Sequence, residues 1–521
     1  MLKINKLLIA SILIFTQLSL AAQNNTNSPY TRFGYGELAD RSFGAGRAMG
    51  GVGFGLRSSS QINPMNPASY SCMDSLTFLF DFGASGQLSW FDDGINKQNN
   101  VNGNVEYIAL QFPIHKRIAM SVGLLPYSYV GYSFGALRTN DEGTYIESYN
   151  GSGGLNDLYL GLSIDIWKKR LAVGANVGYL FGTTKHEQAN SFVNSSGFNS
   201  VRAQSLEVRD IKLDFGVQYT HPISKTENVT LGLVFSPKNR LNATYINMAY
   251  KTNSSGSAEV VASDTTKSKA FDIPNSIGFG ASYVKNNKMT LAADVLYEAW
   301  DNANYDDSKD NFKNRVRVAA GGEFIPNYQN RNFFNRVRYR VGAHYSNSYL
   351  MINNTDDAAY KGNGYNEYGV SFGMGLPLID NRSLVNVSFE YTKIKPGGVN
   401  MIDEQYFRFT VNYTFNEMWF WKKKVMMINS STGLVRCFIL EREPAKMMRG
   451  RPGIGKSLQS WGISMLSMHL EHSGWKREVE TAARQWNGLQ KQQMQSTQPP
   501  SMCWGNYTRM VCILIKIWIR P

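Results

Sequence analysis

The chain has 521 residues, 13% of them aromatic and 18% charged, with 47 Gly and a mean hydropathy of −0.31. That average is too polar for a bundle of membrane helices, and the chain is too aromatic and too lightly charged for a disordered polymer. Of the net charge of +14, +8 comes from residues after Val425, so the body is only mildly basic and a nucleic-acid partner is not indicated.

At the N-terminus, Lys3 and Lys6 precede a mainly apolar run, Leu7 to Leu20, with small residues at Ala21 and Ala22. This is the pattern of a secretory signal over 1–22, too short to span a bilayer. No other apolar run approaches about 18 residues, so a membrane-spanning body must be a closed barrel, which leaves no backbone group unpaired in hydrocarbon. Of the cysteines Cys72, Cys437, Cys503 and Cys512, only Cys72 lies in the body, which excludes a disulfide framework and a Cys-based metal site there.

Residues 23–75 are rich in Gly, Ser, Asn and Pro and close on Asn66-Pro67-Ala68. They carry neither helical nor strand period. Such a segment folds compactly when other protein surrounds it, as a plug inside a barrel; a linker is the bland alternative.

From residue 76 period-two alternation takes over. Ile211, Leu213, Phe215, Val217 and Tyr219 share one face, with Lys212, Asp214, Gly216 and Gln218 on the other. Fourteen such segments are expected, near 76–90, 105–114, 118–133, 157–166, 171–182, 208–220, 228–249, 273–284, 289–300, 314–325, 336–347, 366–377, 383–393 and 404–415. The links between them alternate long (91–104, 134–156, 183–207, 250–272) and short (115–117, 167–170, 221–227, 285–288). That rhythm marks an up-and-down barrel of the outer membrane, with long loops outside and short turns in the periplasm. A soluble propeller or sandwich shows no such rhythm. The expected fold is therefore all-β: a fourteen-stranded antiparallel transmembrane β-barrel over 76–425 with an N-terminal plug segment.

Three features together resemble the FadL-type family of outer-membrane transporters of long-chain fatty acids and aromatic hydrocarbons. They are Asn66-Pro67-Ala68 closing a Gly-rich segment, the stretch Ile273-Pro274-Asn275-Ser276-Ile277-Gly278 running on through Asp294 and Tyr297 to Trp300, and the strand count. The resemblance covers about residues 40–415. It implies a monomer in outer-membrane lipid, passive uptake of a hydrophobic small molecule, and lateral exit at a kink in the third strand. The outer loops here are polar rather than apolar, and a related branch serves protein secretion, so a structural or secretion-associated barrel is the alternative.

Pro126 falls within the third strand, which must bulge or break there because Pro cannot donate to the ladder; Gly131 allows a second bend. The two mark either a lateral opening or merely the outer rim. By parity Arg315, Arg317, Arg336, Arg338, Arg340 and Arg408 face the lumen with Asp214, Asp294, Glu323 and Glu390. Buried charges need partners, so a network tying wall to plug is the plainer reading; an Arg holding a ligand carboxylate is the sharper one. The body's histidines, His115, His186, His221 and His344, adjoin no nucleophile motif or metal spacing. No enzyme, metal or cofactor is expected.

After about Met426 the alternation vanishes, and 426–521 reads as an atypical, disordered tail. Within it, Gly450 to Ser457 matches the P-loop pattern, but no buried strand precedes it, so nucleotide binding is not expected. His469 and His472 lack the zincin order.

Overall fold

The computed structural model describes residues 26–418, except 75–76, 142, 168, 194–198, 253–257, 269–270, 307–311, 353–363, 379–381 and 399–400, together with 423–430 and 433–440. The signal at 1–22 and the tail beyond 440, with its P-loop-like stretch, lie outside the described residues. Two compact units divide the chain, 1–421 and 422–521.

In the first unit the N-terminal segment holds a two-residue strand β1 (Glu37–Leu38), a short helix α1 (Gly44–Ala48) and 3-10 turns at Pro29–Arg32 and Pro67–Cys72. The wall follows as β2 (Thr77–Asp92), β3 (Lys97–His115), β4 (Ile118–Asn140), β5 (Gly143–Trp167), β6 (Leu171–Phe192) and β7 (Asn199–Pro222). The next stave is broken into β8 (Glu227–Ser236), β9 (Asn239–Arg240) and β10 (Ala243–Thr252). Its neighbour is broken at the same level into β11 (Ala258–Ser268), β12 (Asp272–Ile273) and β13 (Ser276–Lys285). Six more complete the ring: β14 (Met289–Glu298), β15 (Arg315–Phe324), β16 (Arg338–Asn347), β17 (Tyr365–Pro377), β18 (Leu384–Pro396) and β19 (Asp403–Met418). Each stave is antiparallel to the next and β19 pairs with β2, which closes a fourteen-staved barrel.

The barrel is apolar outside and polar inside. Leu158, Leu160, Leu162 and Ile164 of β5 are 40–53% exposed, whereas Tyr159 and Ser163 between them are at most 1% exposed. Leu213, Phe215 and Val217 likewise point out while Lys212, Asp214 and Gln218 are buried. A continuous apolar belt of this kind would be a liability in water; lipid gains about 1.5–3 kcal/mol per large side chain it takes up.

The long links of the sequence reading are largely strand. β4 runs on to Asn140 before β5 starts at Gly143, β6 reaches Phe192, and β11 (Ala258–Ser268) lies inside the expected link 250–272. Above the apolar belt both faces of a strand are wet, so alternation fades while hydrogen bonding continues. The two staves read as unbroken, 228–249 and 273–284, are instead interrupted. Pro237 and Pro274 lack the N–H a ladder needs, and Leu241, Phe271 and Ile273 turn into an apolar cluster. Arg336, expected to face the lumen, instead ends a short helix α2 (Phe333–Arg336), 5.9 Å over the Phe333 ring, and Val337 beside it is buried. In the second unit, β20 (Lys423–Ser430) and β21 (Gly433–Leu440) form an antiparallel hairpin, so this part of the supposed tail is strand.

Candidate functional site

Buried backbone in the N-terminal segment must find partners that regular structure does not supply, and here the inner wall supplies them. Asn66 caps the 3-10 turn: its Oδ1 accepts from Ala68 N (3.1 Å), and its Nδ2 donates to Phe54 O (2.9 Å) and Val217 O (3.3 Å). Pro67 opens that turn, where a missing N–H costs nothing, and Ala68 O accepts from Ser163 of β5. Asp294 of β14 accepts from Gly53 N (2.5 Å) and Phe54 N (2.8 Å), and Ser371 of β17 accepts from Gly50 N (2.8 Å). The segment therefore lies within the ring of staves. Its approach is close enough to demand glycine in the wall. A Cβ on Gly232 would sit 1.9 Å from Phe54 O, and one on Gly342 2.1 Å from the Met49 carbonyl carbon.

Ion pairs tie the same segment down. Asp40 meets Arg317 at 2.9 Å, Arg47 meets Glu106 at 3.0 Å, and Arg41 bridges Asp157 (3.2 Å) and Asp214 (3.1 Å). Burial alone would raise the Asp40 carboxyl, but Arg317 and Arg47 outweigh it and hold the group well below the usual carboxylate range.

Among the described residues, the wall parts between β3 and β4. The β3–β4 ladder runs from His115↔Ile118 to Ile108↔Leu124 and stops. Beyond it β3 pairs with β2, and β4 with β5 across a bulge between Pro126 and Ser128. Leu125 through Tyr132 are buried on both faces, so β4 has turned inward. The N-terminal segment takes the vacated place. Glu37 and Leu38 pair with Tyr129 and Ser128, Ala39 N donates to Tyr127 O (3.0 Å), and Thr31 Oγ1 accepts from Gly131 N (3.2 Å). Further out, Asn27 reaches Asn102 of β3 (2.8 Å) and Ser28 donates to Glu404 of β19 (2.9 Å).

Inward of the seam is a cavity of about 150 Å³ lined by Tyr127, Tyr129, Arg47, Glu106, Arg317, Arg408 and further charged groups of both signs. Arg408 is met by Gln87 (2.7 Å), Glu37 (3.5 Å) and Glu390 (4.0 Å). The expected arginines thus separate. Arg317 and Arg408 line the cavity, already partnered. Arg340 and Arg338 meet elsewhere, on Glu323 at 2.7 and 3.7 Å, and Arg340 is 1% exposed. Arg336 joins neither group. His344 shares a hydrogen bond with Glu367 (3.0 Å).

Sequence reasoning missed the roof over this cavity. Tyr35, Trp300, Phe312 and Tyr349 pack with centroids 4.5–6.1 Å apart, and Phe271 and Leu350 join the cluster. The signal available was large aromatics in otherwise polar loops, which nothing local distinguishes from rim residues.

A family model described as BamG matches residues 1–426. No curated protein matches. Among solved structures, the chain is similar to the CymD monoaromatic hydrocarbon channel (13% identity, TM-score 0.49, covering 73% of this chain and 98% of that one). It is also similar to the Ralstonia pickettii toluene transporter TbuX (12%, 0.47, 72% and 98%) and to a Pseudomonas aeruginosa FadL homologue (14%, 0.46, 73% and 99%).

Proposed function

This chain belongs to the BamG family, and we propose that it is an outer-membrane barrel, working as a monomer in lipid, that passively passes small amphipathic molecules. In this reading the N-terminal segment is the plug, and the ligand leaves sideways between β3 and β4 rather than through the periplasmic end. The observation that carries it is the seam: the ladder stops at Leu124, and the space above is filled by chain held mainly through side chains. Such a filling is easier to displace than a strand paired along its length. Ile108 and Leu124, at the point of divergence, are 42% and 37% exposed, so the lip faces lipid.

The cavity behind the lip argues for an amphipathic ligand rather than a plain hydrocarbon. Its charged groups lose water when anything apolar enters, and only a ligand with a polar end compensates them. No catalytic step is part of this reading.

The test is native mass spectrometry of the full chain purified from outer membranes in mild detergent. A stoichiometric amphipathic acid, lost in Arg408→Ala, is the expected result. An empty barrel in lipid-rich preparations, with no uptake of a labelled medium-chain acid after reconstitution, overturns the reading.

A structural or protein-handling role draws on a different observation. The outer parts of β4 to β7, β10 and β11 form a six-stranded sheet that rises beyond the apolar belt with both faces largely wet. A stoichiometric protein partner on that barrel would favour this second role.

A further inference from the structure

On the outer side of the aromatic roof lies a second pocket, again about 150 Å³, that the conduit reading does not use. It forms where Arg32 and Phe33 of the N-terminal segment face His186 of β6, Gln204 and Leu206 of β7 and Tyr245 of β10, with Tyr305 from the loop after β14. A volume near 150 Å³ takes one six-membered ring. The walls suit such a ring: Phe33, Tyr245 and Tyr305 are aromatic and Leu206 is aliphatic.

The polar groups are fewer and are set in place. Tyr132, 1% exposed, holds His186 through its hydroxyl at 2.8 Å from Nδ1, with the two rings stacked 5.8 Å apart. Of the two arrangements this bond allows, the one in which the Tyr132 hydroxyl donates to Nδ1 puts the proton of the neutral ring on Nε2. That Nε2 is buried and has no hydrogen-bond partner among the described residues. An orphaned buried donor beside a cavity calls for an occupant that accepts from it. Arg32 stands close by, its guanidinium 4.0 Å over the Tyr149 ring. Arg32 carries the one permanent charge among the described lining residues, none of which is a carboxylate. The nearby Glu147 is occupied by the Tyr149 hydroxyl, Gln188 (3.1 Å) and Arg138 (3.6 Å). Gln204 adds a side-chain amide, able to donate or accept.

We propose that this pocket binds a single six-membered ring bearing an anionic group, with the ring against the aromatic walls and the anion on Arg32 and His186 Nε2. Two sources share that chemistry, a free aromatic acid and an acidic sugar of an outer-surface glycan. The site requires no passage through the barrel, so it stands or falls separately from the conduit.

The test is calorimetric titration of the full chain in detergent with benzoate, galacturonate and neutral benzyl alcohol. One anion binds at one per chain. Arg32→Ala and His186→Ala each weaken it about tenfold, the loss of one charge-assisted hydrogen bond. Arg32→Lys retains part of the affinity, and Arg209→Ala, on an exposed side chain, leaves it unchanged. Preference for benzoate assigns the free acid, and preference for galacturonate the sugar; either supports the site. Binding of neither anion, equal binding of benzyl alcohol, or anion binding indifferent to both alanine variants in protein with an unchanged melting curve overturns it. A conduit that proves closed while the anion still binds removes the earlier reading and leaves this one.

Discussion

Two seams of the same barrel end differently. Between β19 and β2 the register runs through sixteen residue pairs, from Asp403↔Asp92 to Met418↔Thr77, without a break. Between β3 and β4, two staves along, it stops after seven. The β19–β2 seam satisfies its own donors and acceptors. The β3–β4 seam leaves the outer half of β4 to a passing segment that contributes two register-paired residues, one further backbone hydrogen bond from Ala39 and a few side chains. In a wall facing lipid, every backbone group must be satisfied within the protein. An incomplete ladder therefore persists only where something else fills it, and whatever fills it can in principle be withdrawn.

The largest effect is expected where the filling is anchored. Asp40→Ala leaves Arg317 and Arg47 with one buried partner fewer, and should loosen the segment by about 3–5 kcal/mol. Amide exchange would then rise steeply across 37–48 while the β19–β2 seam stays protected. Equal protection in variant and parent would show that the pair does not hold the segment. The same group sets a pH dependence. Its folded-state value is depressed, so its contribution is present above the ordinary aspartate value of 3.8 and is lost as pH falls below that through the depressed value. Protection of 37–48 relative to intrinsic exchange rates should fall on acidification, and less so in Asp40→Asn.

Next is the seam itself. Leu38 and Ser128 are register partners, so Leu38→Cys with Ser128→Cys, in a background with the native cysteines replaced by Ser, can form a disulfide across the filling. Oxidation should cut uptake of an amphipathic acid about tenfold, the effect of adding roughly 1.4 kcal/mol to opening, and reductant should restore it. Undiminished flux in the oxidised protein would place the exit elsewhere.

Smaller effects follow at single residues. Asn66→Ala removes a cap and a bond to the wall and should cost about 1–2 kcal/mol, read as a lowered melting temperature. Pro126→Ala returns an N–H to β4, and should change stability by less than about 1 kcal/mol while slowing uptake slightly. A large loss of stability would instead make Pro126 a structural requirement of the bulge.

The sequence foretold the inside-out alternation because the bilayer imposes it on each strand separately: Ile211 to Tyr219 carries the pattern without reference to any neighbour. It also marked Pro126, because a missing N–H is a local fact. It misplaced Arg336, because parity counted backwards from Arg338 assumes strand where the chain makes a helical turn. It shortened β4 and β6 and left β11 inside a link, because period two disappears once both faces meet water.

What the sequence by itself determined, then, was whatever each residue settles alone or with its neighbours two along: strand faces, the proline in β4, the closing Asn66-Pro67-Ala68. Tertiary structure decided the rest. Which staves part at the seam, which arginine meets Asp40 rather than Glu323, and why Gly232 and Gly342 had to be glycine all depend on which elements meet in the lumen. Partner choice for a buried charge and clearance for a backbone are properties of the assembled interior, and no local pattern carries them.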